Sequence, residues 1–513
     1  MSTESPGNVL FVVLDTVRKD RLTPYGYDRP TTPNLAAFAE EATVFEQAVA
    51  PAPWTLPVHA SLFTGLYPSQ HGADQENPYL EGATTLAETL SAAGYDTACY
   101  SSNAWITPYT HLTDGFDDQD NFFEVMPGEF LSGPLARAWK AMNDNESLRT
   151  IADTLVSLGN TAHEYLAGGE GADSKTPAVI DRTMEFVAES GRSFAFINLM
   201  DAHLPYHPPE EFAAEFAPGV DSAEVCQNSK EYNAGARDID DGEWDAIRGL
   251  YDAEIAHIDD QLGRLFEWLK AEGEWDDTMV VVCADHGELH GEHDLYGHEF
   301  CVYDPLVNVP LLVKHPALDA DRRTDQVELL DLYHTVLDCL DVPGDDSATD
   351  GAVPLDRTRS LLDDDYRAFA GLADADRDPG QRGGGEYAFV EYSRPVVELN
   401  QLEEKAAAAG IDLPADSRFY SRMRAARRTD AKYIRIDRIA DEAYRLDGDP
   451  GETDSLAGGD DPEIAATEAV LSDFESAIGG AWTDALDDDV SDETVEEMDD
   501  EAQERLRDLG YLE

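Results

Sequence analysis

Apolar runs alternate along the chain with segments in which apolar positions recur every three or four residues. The runs are rich in Val, Ile, Leu and Phe, as in strands that are covered on both faces of a sheet. They predict strands at residues 8–14, 96–100, 193–200, 279–283 and 310–314. The helical spacing predicts helices at residues 57–64, 84–93, 247–270 and 326–340. Strands that alternate with helices indicate an α/β fold with a mostly parallel central sheet flanked by helices.

Polar residues directly follow several of these strands. Asp15 comes after the first strand, Asp201 and His203 come after the third, and Asp285 and His286 come after the fourth. The carboxyl ends of parallel strands meet at one edge of a sheet, and open α/β sheets bind their ligands at that edge. The pattern therefore predicts an active site there.

The composition of the chain changes after about residue 345, where Asp and Gly become frequent. Only two strands are predicted beyond that point, at residues 387–392 and 432–436. We predict a catalytic domain at 1–345, a smaller C-terminal α+β sheet domain at 346–460, and an acidic, partly helical tail at 461–513. Residues 115–180 fit no element well, and we expect them to shape the substrate pocket.

The net charge of the chain limits the classes of molecule that it can bind. Its 513 residues are 42% hydrophobic and include 36 Lys and Arg against 106 Asp and Glu, a formal net charge of −70. Such a surface repels nucleic acid and anionic lipid, so we expect no nucleic-acid partner. The acidity is spread along the chain, as in halophilic proteins adapted to concentrated salt. The normal apolar share argues against disorder.

The cysteines and the amino terminus indicate the compartment. Five scattered cysteines without CxxC spacing suggest reduced thiols rather than disulfides or a zinc site. The first residues show neither a basic region nor a small-residue cleavage site. The apolar run at residues 9–14 is too short to span a membrane. We therefore expect a cytoplasmic protein without stable membrane insertion.

Thr55 stands at the predicted start of a helix, because Pro57 is typical of a first helical turn. The free N–H groups at such a position attract anions. Thr55 is therefore either a nucleophile held beside a metal or a threonine that caps the helix.

Asp15, Asp285 and His286 combine two carboxylates with an imidazole, a set that suits a divalent cation. Taken singly, Asp15 fits a cap, and Asp285 with His286 fits an exposed turn. The histidines His203, His293 and His298 are each compatible with a structural role. Because all of these residues fall at strand ends or at a helix start, the combination favours a shared catalytic centre.

Six ordered blocks resemble the sulfatase family of the alkaline-phosphatase superfamily. They are the stretch from LDTVRKDRL to YPSQHG, the motif TLPVHASLFTG within it, YDAEIAHIDDQLGRLFEWL, CADHGELHGEHDLYGHEFCVYDPLVNVPLLV, AYRLDGDPGETDSLA and LRDLGYL. The resemblance implies an alkaline-phosphatase-like fold with a smaller C-terminal domain. It also implies an enzyme that hydrolyses a phosphate or sulfate ester, with a small molecule or a glycan- or lipid-linked anionic ester as substrate.

The resemblance also implies roles for single residues. Asp15, Asp285, His286 and Thr55 would bind one divalent cation. By resemblance this ion is Ca²⁺, while the imidazole makes Mn²⁺ or Zn²⁺ plausible. Thr55 would be the nucleophile, at the position where most sulfatases carry formylglycine. The other implied catalytic residues are His203, which would contact the substrate's anionic group or leaving oxygen, His298 near that group, and His59 in place of the signature arginine. A second cation would have to use Asp201, His203 and His207.

Several positions depart from the family pattern. Threonine cannot be oxidised to formylglycine, Thr16 replaces a second aspartate, and Ser102-Asn103 replaces a Lys-x-His pair. Three interpretations therefore stay open. The chain is a hydrolase or transferase acting on phosphate esters, a sulfatase that uses threonine directly, or a protein that binds metal or anion without turnover.

Overall fold

The computed structural model describes residues 6–75, 77–122, 174–344, 352–363 and 387–479. The strands are β1 (Asn8–Leu14), β2 (Thr43–Val49), β3 (Asp96–Ser101), β4 (Asp118–Asn121), β5 (Ser193–Leu199), β6 (Thr278–Cys283), β7 (Leu289–His290), β8 (Tyr296–Gly297), β9 (Asn308–Lys314), β10 (Arg322–Glu328), β11 (Ala388–Tyr392), β12 (Met423–Arg427), β13 (Lys432–Ile436) and β14 (Glu442–Tyr444). The α-helices are α1 (Pro33–Ala39), α2 (Thr55–Thr64), α3 (Pro68–His71), α4 (Leu86–Ala92), α5 (Thr176–Glu189), α6 (Glu210–Phe216), α7 (Ser229–Asn233), α8 (Asp241–Glu272), α9 (Asp304–Val307), α10 (Leu332–Cys339), α11 (Val396–Ala409) and α12 (Pro462–Phe474).

The main sheet confirms the predicted fold class. In the described part of the chain it has eight strands in the order β10-β2-β9-β6-β1-β5-β3-β4, and every neighbouring pair is parallel except those that involve β9. The central strands β1, β5 and β6 are buried along their whole length. Burial on both faces explains why these strands read as continuous apolar runs.

The long helix α8 fixes the loop that follows β1. Its apolar face is buried, and it runs farther than the predicted 247–270 because Asp240 caps its start and Gly273 ends it at φ 84°. The hydroxyl of Tyr251 accepts a hydrogen bond from the backbone N–H of Arg18 (2.8 Å) and donates one to the carbonyl of Thr16 (2.7 Å). The residues next to Asp15 are therefore tied to the helix layer.

The predicted helix at 326–340 is wrong in its first part. Gln326, Val327 and Glu328 end β10 and pair with residues 47–49 of β2, and the α-helix covers only Leu332–Cys339. A short apolar run does not distinguish a buried strand from a buried helix, so pairing with β2 decides the structure. The strands β2, β4, β7, β8, β10, β12 and β14 were not predicted.

The small C-terminal domain is built on an antiparallel sheet in the order β11-β12-β13-β14, which includes both predicted strands. Helix α12, at the start of the predicted acidic tail, packs on this sheet, and Phe474 stacks on Phe389 with ring centroids 4.1 Å apart. The remainder of that tail, from residue 480, lies outside the described residues, as does most of the segment 115–180. The proposed domain borders stay predictions.

No helix in the described ranges combines the length and the apolar character that a membrane crossing requires.

A buried charge cluster joins the two sheets. Asp304, at the start of α9, accepts hydrogen bonds from Arg427 (2.7 Å) and Lys432 (3.0 Å) of the small sheet. Lys432 also pairs with Glu452 at 2.8 Å. Burial disfavours the charged form of Asp304, but Arg427 and Lys432 outweigh burial and hold the pKa of Asp304 well below its usual range. The small domain is thus fastened to the segment before β9 by ion pairs whose two cations are buried.

Replacing this carboxylate should destabilise the protein strongly. We expect Asp304→Ala to lower the free energy of unfolding by about 3–5 kcal/mol, because Arg427 loses its carboxylate partner and Lys432 keeps only Glu452. Denaturant unfolding at fixed salt measures the change. The matched control is Asp325→Ala, which removes a partly exposed pair with Arg323 (2.5 Å) and should cost about 1 kcal/mol or less. Equal effects of the two substitutions would contradict a linking role for Asp304.

Candidate active site

Four chain segments deliver polar groups to the carboxyl edge of the main sheet. Asp15 follows β1, Asp285 and His286 follow β6, Asn103 follows β3, and Thr55 begins α2 after β2. Asp15, Asp285 and His286 are 0% exposed, and Thr55 is 4% exposed. The hypothesis that Asp285 and His286 form an ordinary exposed turn is therefore wrong.

Asp15, Asp285 and His286 form the one candidate metal site among the residues that the structure describes. Each offers a ligand atom, and these atoms lie within 4.8 Å of one another. Oδ1 of Asp15 and Oδ2 of Asp285 are buried without a hydrogen-bond partner. Burial, and then the charge of Asp15, raise the pKa of Asp285 well above its usual value. Two adjacent buried carboxylates with vacant oxygens and an imidazole fit a divalent cation, which would compensate their charge.

The orientation of His286 suits such a role. Its Nδ1 donates a hydrogen bond to the carbonyl of Gly287 (3.0 Å), so in the neutral ring Nε2 carries a free lone pair. Nε2 lies 3.4 Å from Oδ2 of Asp285. Burial, followed by the nearby His298, lowers the pKa of His286 well below its usual value. The ring is thus held neutral with Nε2 directed at the carboxylate.

Thr55 joins this group through its hydroxyl. Thr55 is the first residue of α2, Trp54 occupies the N-cap position, and no side chain caps the helix. The hydroxyl lies 3.3 Å from Nε2 of His286, to which it can donate. The amide of Asn103 lies 3.5 Å from the same oxygen. The alternative that Thr55 is a simple helix cap is therefore wrong, because its side chain turns towards the acidic cluster.

Two asparagines orient Asp15. The side-chain amides of Asn103 and Asn198 both donate to Oδ2 of Asp15, at 2.9 and 3.0 Å. Asn198 also contacts Nε2 of His59 at 3.2 Å. Asn198 was not predicted, although a polar residue inside the buried strand β5 is a signal that could have identified it.

His59 lies behind Thr55, fully buried. Its Nδ1 donates to the carbonyl of Thr55 (2.9 Å), while its Nε2 meets Asn198, so both ring nitrogens have partners within the protein. Burial lowers the pKa of His59, although Asp15 opposes this shift. His59 therefore supports the first turn of α2 and does not line the cavity.

Thr16 stabilises the position of Asp285 through a backbone hydrogen bond. The residue adopts a left-handed conformation with φ 60°. Its N–H donates to Oδ1 of Asp285 (3.2 Å), and its hydroxyl donates to the carbonyl of Ala202 (2.6 Å). The position that departs from the family pattern thus holds Asp285 in place.

His203 and His298 line a cavity of about 470 Å³ that opens above Thr55. Their ring centroids are 5.3 Å apart, and His298 lies 4.5 Å from His286. His203 donates from Nδ1 to the carbonyl of Leu204 (2.6 Å), which leaves Nε2 for a ligand. Nδ1 of His298 lies 3.2 Å from Glu288. Burial opposes protonation of His298, but Glu288 and Glu299 outweigh burial and raise its pKa to about 9.

The remaining candidates lie elsewhere. Asp201 accepts a hydrogen bond from Thr176, and His207 contacts Ser222 at 3.0 Å. His293 stacks on Tyr303 with ring centroids 3.7 Å apart. In the described ranges, Asp201, His203 and His207 are not drawn together as a second metal site.

Comparison with known proteins agrees with this architecture. The family model described as Sulfatase matches residues 7–342. The multifunctional alkaline phosphatase superfamily protein PehA of Trinickia caryophylli is 27% identical over 394 residues, covering 65% of this chain and 73% of the relative. An ulvan-active sulfatase of Formosa agariphila is 27% identical over 320 residues, covering 61% of this chain and 57% of the relative. The phosphonate monoester hydrolase of Agrobacterium radiobacter shares the fold with a TM-score of 0.63 at 22% identity, covering 92% of this chain and 96% of that chain.

Cation binding should depend on the two carboxylates. We expect about one bound divalent cation per chain, with an increase in the free energy of unfolding of about 2.7 kcal/mol when the free ion is at 100 times its Kd. Asp15→Asn and Asp285→Asn should each abolish that increase. Without the ion these variants should be as stable as the wild type or more stable, because the repulsion between two buried carboxylates is removed.

Thermal unfolding with Ca²⁺, Mn²⁺ or Zn²⁺ added after chelation measures both effects. The control is Asp245→Asn, an exposed residue of α8, which should keep the full response to the ion. A response that survives in both Asp15→Asn and Asp285→Asn would exclude this cluster as the site.

Proposed function

Since this chain belongs to the sulfatase family, we propose that it hydrolyses a phosphate or sulfate ester with one divalent cation and with Thr55 as its nucleophile. One observation carries the proposal. The Thr55 hydroxyl meets Nε2 of His286 beside the buried carboxylates Asp15 and Asp285, at the floor of an open cavity.

The cation would be held by Asp15, Asp285 and His286, with Thr55 next to it. When bound, a divalent cation lowers the pKa of an adjacent hydroxyl and offsets negative charge on the ester's oxygens. The carboxylate oxygens suit Ca²⁺, whereas the imidazole nitrogen favours Mn²⁺ or Zn²⁺. The vacant oxygens of the two aspartates support this assignment.

The reaction we propose has two displacements. In the first, the Thr55 oxygen gives its proton to water and bonds to phosphorus or sulfur, while the bond to the alcohol oxygen breaks and that oxygen takes a proton from His203. In the second, water attacks the threonine ester and restores the hydroxyl. Free N–H groups in the first turn of α2 stabilise the negative charge that develops next to Thr55.

The two cavity histidines, His203 and His298, have separate proposed roles in proton transfer and in binding the ester. We assign to His203 the proton that the leaving alcohol oxygen takes up, because its Nε2 has no partner within the described structure. His298, held by Glu288, would bind a non-bridging oxygen of the ester. His59 is a positioning residue, since it bonds the backbone of Thr55 and touches Asn198 rather than the cavity.

Thr16, His59 and Asn103, the departures that suggested a protein without turnover, support catalysis instead. Thr16 fixes Asp285, Asn103 fixes Asp15, and His59 fixes the start of α2. Each substitution is thus matched by a hydrogen bond to a proposed site residue, which is what an intact site requires.

Phosphate esters are the substrates we favour, because threonine cannot supply the aldehyde on which formylglycine sulfatases depend. The printed names of the relatives include both a sulfatase active on ulvan and an alkaline phosphatase superfamily enzyme. A sulfatase that uses threonine directly is therefore the second candidate. Rates on the sulfate and the phosphate monoester of one alcohol, measured side by side, decide between the two.

Removing the Thr55 hydroxyl should remove turnover. We expect Thr55→Ala to lower kcat at least about 10³-fold on phosphate and sulfate esters, while Thr55→Ser, which keeps a hydroxyl, should stay within about tenfold of the wild type. Steady-state kinetics with 4-nitrophenyl esters measure both variants, and retained cation-dependent stabilisation shows that the site is intact. If Thr55→Ala turned over as fast as the wild type, Thr55 would not be the nucleophile.

Replacing His203 should matter most for poor leaving groups. We expect His203→Asn to lower kcat/KM about 10²- to 10³-fold on alkyl esters, because an alkoxide needs a proton as it leaves. The loss should be much smaller with 4-nitrophenyl esters, whose leaving group is stable as an anion. Rates across a series of alcohols of increasing pKa give this dependence. A loss that is the same for every leaving group would assign His203 to binding instead.

A further inference from the structure

The cavity above Thr55 extends to the small C-terminal domain. One wall carries the proposed reaction residues Thr55, His203 and His298. The second wall of the same cavity consists of Lys230 at the start of α7, Glu288 and Glu299 beside His298, and Tyr392, Glu398 and Gln401 around the start of α11. The ester group would lie against Thr55, so the alcohol part of the substrate would face this second wall.

This second wall is acidic. Glu288, Glu299 and Glu398 all line the cavity and are buried, whereas Lys230 is the one lysine or arginine among the lining residues that the structure describes. Lys230 is already paired with Glu299 at 2.5 Å. Glu288 lies 3.2 Å from Nδ1 of His298, so Glu398 is the carboxylate of this wall that has no cationic partner in the described structure.

Glu398 is the carboxylate with the least compensation. It accepts a hydrogen bond from the amide of Gln75, and within the described ranges neither lysine nor arginine forms an ion pair with it. Burial raises the pKa of Glu398, and Lys230 offsets this only in part. A buried carboxylate without a counter-ion is costly, so a cation in the cavity would stabilise it.

Unpaired oxygens point to the same conclusion. Oε2 of Glu288 and Oε2 of Glu299 are buried and have no hydrogen-bond partner in the described part of the protein. Gly297, at φ 96°, lets Oε2 of Glu299 pack close to the backbone, because a Cβ there would lie 2.7 Å from that oxygen. These oxygens leave uncompensated negative charge beside the cavity, which a positive charge in the cavity would offset.

Aromatic rings line the same cavity. Trp54 and Trp105 pack edge to face with ring centroids 5.8 Å apart, and Tyr392 lies on the acidic wall. Aromatic faces attract cations, ammonium groups above all. A second anionic group on the alcohol would instead meet three carboxylates.

We propose that the substrate's alcohol part carries a positively charged ammonium group, which binds against Glu398 and Glu299 and the neighbouring aromatic rings. This inference rests on the proposed ester hydrolysis at Thr55. It narrows the substrate to esters of amino alcohols or amino sugars and excludes alcohols that carry a further sulfate, phosphate or carboxylate.

Two esters of the same shape test the charge requirement. The 2-(trimethylammonio)ethyl and 3,3-dimethylbutyl phosphates differ in one atom, N⁺ against C, and the 2-sulfoethyl ester adds an anionic member. We expect the wild type to favour the cationic ester over the neutral one roughly tenfold or more in kcat/KM, and to act most slowly on the anionic one. All rates are measured at one ionic strength, and the sulfates are run alongside.

Variants separate the protein's contribution from the esters' own reactivity, which is the same for every variant. Glu398→Gln should lower the ratio of cationic to neutral rates roughly tenfold. Gln401→Lys, which adds a cation to the same wall from a half-buried position, should lower it similarly without removing a buried group. Glu404→Gln, at an exposed residue of the same helix, should leave the ratio unchanged.

Binding of the trimethylammonium alcohol alone, followed by calorimetry, needs no turnover. Tighter binding of this alcohol than of 3,3-dimethylbutanol, lost in Glu398→Gln, would support the ammonium site even if no ester were hydrolysed, and the proposed hydrolysis would then be wrong. Turnover of both esters with a ratio that neither Glu398→Gln nor Gln401→Lys changes would overturn the ammonium site and leave the hydrolase intact. The absence of both a binding preference and turnover would overturn both.

Discussion

The site depends on two carboxylates, Asp15 and Asp285, that are buried side by side with an unbonded oxygen each. Repulsion between them is not screened by water, so the arrangement costs free energy unless a cation is present. The surrounding hydrogen bonds act on this pair: Asn103 and Asn198 donate to Asp15, and the N–H groups of Thr16 and His286 donate to Asp285. The fold therefore holds the two acids in place before any ion is bound.

The sheet supplies the geometry for this arrangement. Strands β1 and β6 are parallel neighbours, so the residues that follow them emerge at the same edge, and β5 brings Asn198 beside β1 on the other side. Tyr251 of α8 ties the loop after Asp15 to the helix layer. Small shifts in these elements would move the carboxylates, which explains why hydrogen bonds from distant parts of the chain converge here.

The sequence alone predicted the strands and helices whose residue pattern lies within one continuous segment of the chain. The strands at Asp15 and Asp285 are long, fully buried and parallel, and such strands appear as apolar runs with a polar residue at the end. The segment at Gln326–Glu328 was assigned to a helix because pairing with β2, almost 280 residues away, decides its structure. The acidic wall was missed for the same reason: Lys230, Glu299 and Glu398 belong to three separate segments, and nothing in any one of them marks a pocket.

The acidic composition acts differently on the surface and in the cavity. The net charge of −70 sets a field at the surface, but in 1 M salt the Debye length is about 3 Å, so surface charge hardly influences an approaching ester. Carboxylates that are almost fully buried are screened much less, because ions and water do not surround them. In the proposed selection of the alcohol, Glu299 and Glu398 would therefore act more strongly than the many exposed acids. The total charge of the chain and the charge of its pocket are thus separate properties, although both are negative.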